Sequence, residues 1–125
     1  MLSALVVVLT MAPGAESRSN RATAWCDPTA LTPVVYSDNT GRSHGTVDCF
    51  EGSYTFKWAQ RLYNNSGGVL WDSGALREET YYHFEVWGVV VGCSGAVVKS
   101  WMYTTDYFGG DQASDTSGTN SDCAY

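Results

Sequence analysis

Four cysteines constrain this chain more than any other feature: Cys26, Cys49, Cys93 and Cys123 stand far apart in 125 residues, with no CxxC pair among them. Only two histidines are present, so a zinc site would have to be assembled from scattered ligands. Two disulfides are the simpler reading, and they place the chain in an oxidising compartment. Three connectivities are open. We favour Cys49 with Cys93, since both lie in strand-like segments and could pin two sheets face to face, leaving Cys26 with Cys123 to tie the ends. Cys26 with Cys49 and Cys93 with Cys123 stands beside it as an equal alternative.

The N-terminus supports the same compartment. Leu2 to Met11 is an uncharged apolar run ended by Pro13 and Gly14. It is too short to span a bilayer and reads as the hydrophobic part of an export signal, with cleavage after Ala15 or after Ala24. No Lys or Arg precedes it, and the rival reading of Leu2 to Leu9 is a buried first strand. We therefore divide the chain into a signal over 1–24, a β domain over 25–105 and an acidic tail over 106–125.

After Pro33 the chain is a series of β-type runs broken by Gly, Asn, Asp and Ser: 33–37, 45–50, 53–63, 68–72, 80–91 and 96–105. In the third, Tyr54, Phe56, Trp58 and Leu62 alternate with Thr55, Lys57 and Arg61, which is a strand with one wet side. Asn64 to Gly68 then makes a turn, and Val69–Leu70–Trp71 should return as a hairpin. In the fifth run the apolar phase slips by one residue at Gly88, as a β-bulge would make it. Gly92 to Gly95 reads as a second hairpin turn, joining the fifth and sixth runs. Beyond Asp106 the sequence is poor in apolar residues and reads as a solvated loop laid over the domain and held by Cys123. Short strands at regular spacing and a hydrophobic content of 44% predict an all-β fold, a small antiparallel β-sandwich of immunoglobulin-like type with two disulfides. A β-barrel stays open.

Chemistry is thinly represented. His44 sits in a turn-like GRSHG stretch, His83 lies in a strand beside Glu85, and there is neither a GxSxG elbow nor a spare cysteine. Glu78, Glu79 and Glu85 could formally supply a carboxylate pair for glycoside hydrolysis but read first as a solvated edge beside a turn, and the aspartates of the tail lack the spacing of a calcium loop. We expect no catalysis and no cofactor. Seven basic residues against thirteen acidic ones give a net charge of −6, which disfavours nucleic acid and anionic membrane as partners. The class that suggests binding is the aromatics, with five Trp and eight Tyr. Trp71, Trp87, Trp101 and Tyr103 cannot all point inward on alternating strands, and left on a sheet face they would form a protein hot spot or a sugar-stacking platform.

The export signal, Gly45–Thr46–Val47–Asp48–Cys49, the aromatic strand ending in Gln60–Arg61–Leu62, Val69–Leu70–Trp71 after a glycine turn, and Cys93–Ser94–Gly95 leading to Lys99–Ser100–Trp101 occur together here. In this combination the chain resembles the small secreted β-sandwich proteins of filamentous actinobacteria, some of which are adaptor subunits of umbrella toxin particles. The similarity covers about Cys26 to Thr105 and leaves the acidic tail unplaced. It implies a secreted, non-catalytic adaptor bridging a lectin-bearing subunit and a large repeat-bearing toxin subunit in an extracellular antibacterial complex. In that family an extended N-terminal segment enters the lectin partner, a role that could fall only to residues 16–25 here and that cleavage after Ala24 would remove. The other readings are a carbohydrate-binding module and an inhibitor of a foreign hydrolase, the latter needing a rigid loop at 38–45 or 106–122.

Overall fold

A computed structural model describes residues 26–50, 54–110 and 112–124; the segment read as an export signal, with both expected cleavage points, lies outside the described residues. The described residues form nine strands: β1 (Cys26–Val35), β2 (Thr40–Cys49), β3 (Tyr54–Asn64), β4 (Val69–Asp72), β5 (Arg77–Tyr81), β6 (His83–Trp87), β7 (Val91–Gly92), β8 (Val98–Asp106) and β9 (Gln112–Asn120). A short 3-10 turn, Asp122–Ala124, follows. All pairings are antiparallel. One sheet runs β1-β2-β6, with β7 also on β2; the other runs β4-β3-β8-β9, with β5 also on β3. This is the predicted all-β sandwich with two disulfides.

Alternation builds its interior. Phe56, Trp58, Gln60 and Leu62 of β3 face inward, as do Val98, Ser100, Met102 and Thr104 of β8, against Gly41, Ser43, Gly45 and Val47 of β2. The opposing sizes are complementary. A Cβ at Gly45 would overlap Met102 Cγ and lie 3.0 Å from the Thr29 carbonyl, so the glycine makes room for the methionine. One side of the sandwich is closed where β1 lies along β8 and β9: Ala30 N–H donates to Asp115 Oδ2 (2.8 Å), Asn120 Nδ2 to the Pro33 carbonyl (3.0 Å) and Thr104 Oγ1 to the Cys26 carbonyl (3.0 Å). On the other side Trp71 packs on the core beside Gly88, where a Cβ would overlap Ser43 Oγ and come within 2.9 Å of the indole.

Four expectations are corrected. The disulfides are Cys26–Cys49 and Cys93–Cys123, the second of the two pairings weighed above, which overturns the preference for Cys49 with Cys93. Cys49 ends β2, while Cys93 donates its N–H to Asn39 just before β2 begins. At about 3.3 Å per residue the two lie roughly 30 Å apart, far beyond disulfide reach. Cys26 instead sits directly opposite Cys49 in the β1–β2 ladder. Second, the run 80–91 is not one strand. The chain leaves the larger sheet after Tyr81 and enters the smaller one at His83. The slip read at Gly88 is present: Trp87 faces His44 and Val91 faces Gly41, so one extra residue intervenes on the β6–β7 side.

Third, Gly92 to Gly95 joins the two sheets and closes no hairpin, since β7 pairs with β2 and β8 with β3. Fourth, the tail read as a loop contributes β9, which pairs along β8 from Thr105↔Gln112 to Val98↔Asn120. The β3–β4 hairpin forms as predicted, with Leu62 opposite Trp71.

Candidate binding face

The outward positions of β3 and β8 interleave across their ladder. Arg61 lies opposite Trp101, Tyr63 opposite Lys99 and Ala59 opposite Tyr103, while on the far side of β8 Thr116 of β9 faces Trp101. These side chains organise one another. The Trp101 and Tyr103 rings are parallel within 10° at 5.7 Å, and the Arg61 guanidinium lies 4.7 Å from the Trp101 ring. Tyr63 meets Trp101 edge-on at 6.4 Å. Arg61 Nη1 donates to the Tyr63 hydroxyl (2.8 Å) and Nε to Asp72 Oδ2 (2.9 Å). The bond to Tyr63, and after it Asp72, raises the pKa of Arg61 above its ordinary value. The result is a half-buried row of rings and a guanidinium locked by neighbours.

Beside this row is a cavity of about 250 Å³ lined by Tyr63, Gly67, Lys99, Trp101 and Thr116. Lys57, Arg61 and Lys99 share this outer face and Arg77 lies on β5, so four of the five cations among the described residues belong to the larger sheet; the fifth is Arg42.

The four aromatics predicted for binding therefore do not form one site. Trp101 and Tyr103 stand together on the larger sheet. Trp87, 42% exposed, lies on the outer face of the smaller one, with its ring stacked on His44 at 3.6 Å and Arg42 4.9 Å away. Trp71 packs against the core. The partners that the aromatic reading missed are Arg61, Tyr63, Lys99 and Thr116. Arg61 was legible as a wet-side residue, whereas its pairing with Trp101 depends on a register between distant strands.

Two histidine–carboxylate pairs cross β2 and β6. His44, on a strand and not in a turn, bonds Glu85 through Nε2 (2.6 Å), and His83 Nδ1 bonds Asp48. The Asp48 hydrogen bond, and then its charge, raises the His83 pKa above its usual 6.5. Neither imidazole has a Ser, Thr or Cys side chain as a hydrogen-bond partner among the described residues. No three His, Cys, Asp or Glu side chains among these residues converge as a metal site requires.

A second aromatic surface lies at the opposite end of β3, around the Cys26–Cys49 bridge. Tyr54 pairs with Tyr81, Tyr81 stacks on Phe84 at 5.1 Å, and Phe50 and Tyr82 are 52% and 66% exposed. From Tyr54 to Tyr63 along β3 is about 30 Å.

No helix among the described residues is long and apolar enough to cross a membrane. No family model, no curated protein and no solved structure matches the chain.

Proposed function

We propose that this chain is an exported, non-catalytic binding module that docks another protein on the outer face of β4-β3-β8-β9. The observation that carries the reading is the Arg61–Tyr63–Trp101–Tyr103 row. Trp, Tyr and Arg are the residues in which interface hot spots are richest, and side chains already held in place lose little freedom on binding. The stacking favours a protein over a glycan. A sugar ring needs a wide bare aromatic face, and the guanidinium 4.7 Å over the Trp101 ring, with the offset Tyr103 ring beside it, leaves that ring only partly bare. The inhibitor reading loses its rigid loops, since most of 38–45 and 106–122 is strand.

Two disulfides and the N-terminal apolar run support export. The resemblance supplies the finer role, an adaptor joining a lectin-bearing subunit to a large repeat-bearing toxin subunit in an extracellular antibacterial particle. Bridging requires two surfaces, and the aromatic row and the Tyr81–Phe84 end provide two, separated along β3.

The test is affinity purification of the tagged protein from its native culture supernatant, with wild type and Trp101→Ala in parallel. We expect stoichiometric recovery of a large repeat-bearing subunit and a lectin-like subunit with wild type. One of them should fall at least tenfold with the variant. A lone monomer that adheres to insoluble polysaccharide would reject the adaptor in favour of a carbohydrate module.

A further inference from the structure

We infer that the cavity beside the aromatic row is an anchor pocket for a glutamate side chain of the partner protein. The inference rests on the protein-docking reading of this face and names the chemistry it selects. Four of the five cations among the described residues are engaged: Arg42 with the Gly88 carbonyl and Trp87, Lys57 with Tyr107, Arg61 with Asp72 and Tyr63, Arg77 with Trp58. Lys99 alone has no ion pair, hydrogen bond or ring contact from its ammonium among those residues, and it lines the cavity.

A half-buried lysine without a carboxylate, in an otherwise acidic protein, is a charge awaiting its complement. The rest of the lining fits the stem of the same group. Tyr63 and Trp101 offer apolar surface for methylenes, and Thr116 offers a hydroxyl for the second carboxylate oxygen. At about 250 Å³ and wide open to solvent, the space is smaller than the roughly 300–1,000 Å³ of small-molecule and cofactor sites and admits a side chain presented by a docked surface.

The probes are three: acetyl-Val-Glu-Val-amide, acetyl-Val-Gln-Val-amide and free glucuronate. Each is titrated into the exported, disulfide-bonded protein while the indole N–H resonance of Trp101 is followed by NMR. The expected result is at least tenfold tighter binding of the glutamate peptide than of the glutamine peptide. Lys99→Gln should abolish that preference and Lys99→Arg should keep it, with the spectral dispersion of both variants reporting that they fold. Equal binding of the two peptides, no binding of either, or glucuronate matching the glutamate peptide would each overturn the inference. Failure here is separable from failure of the docking face. A glutamate-blind pocket on a chain whose partner is still lost with Trp101→Ala removes the anchor and leaves the face.

Discussion

Gly45 shows what one missing Cβ does in this molecule. Its place on the inner face of β2 is taken by fully buried Met102, so Gly45→Ala must displace either the methionine or the Thr29 carbonyl. Overpacking of this kind costs about 1–3 kcal/mol. We expect a matching fall in the urea midpoint for Gly45→Ala, and a double variant with Met102→Val that loses less than the two single changes together. His83 illustrates the opposite case, an exposed group tuned mainly by Asp48, with the Glu85 charge adding to it. Because its folded pKa is raised, its contribution is complete below the unfolded value of about 6.5 and is lost as pH climbs through the higher folded value. Asp48→Asn should return the His83 titration, followed by NMR, to the ordinary range.

At the scale of elements, the most informative strands are those the sequence conceals. β9 reads Gln-Ala-Ser-Asp-Thr-Ser-Gly-Thr-Asn and has almost no apolar side chain, so hydrophobic alternation cannot reveal it. Its ladder with β8 and buried Asp115 hold it in place, and Asp115 accepts the Ala30 N–H of β1. Asp115→Ala would strand that donor, and we expect a loss of about 1–3 kcal/mol, with amide exchange accelerating in β1 and β9 before β3. β1 is hidden for a different reason. Pro28 and Pro33 break its pattern, yet it is the edge of its sheet and tolerates them. β3, by contrast, was legible nearly residue by residue, because one face is apolar and the other wet. The phase slip at Gly88 was legible too, while the change of sheet at Tyr82 was not: β5 and β6 look continuous in sequence and differ only in which strand receives them. The aromatic row was half visible, its rings by composition and its Arg61 by alternation, with the β3–β8 register needed to bring them together.

For the whole molecule, each disulfide belongs to one of two core clusters, Cys26 to that of Phe56 and Met102, Cys93 and Cys123 to that of Leu62 and Val98. The closed loops are similar, with separations of 23 and 30 residues, so each bridge should contribute on the order of 3–4 kcal/mol by restricting the unfolded chain. Replacing either pair by serine should lower the thermal midpoint by a comparable amount. The losses should differ in place: hydrogen exchange at the β9 end near Asn120 should rise for Cys93→Ser/Cys123→Ser, and at the start of β1 for Cys26→Ser/Cys49→Ser.

The chain visits the sheets in alternation: β1 and β2 in the smaller, β3 to β5 in the larger, β6 and β7 back in the smaller, β8 and β9 in the larger again. No contiguous stretch of the gene therefore encodes either layer. A fragment library would yield pieces that each lack a neighbour for their strands, and the usual shortcut of locating a docking region by truncation would report lost folding as lost contact. Surface substitutions in the intact chain are the only dissection this connectivity permits.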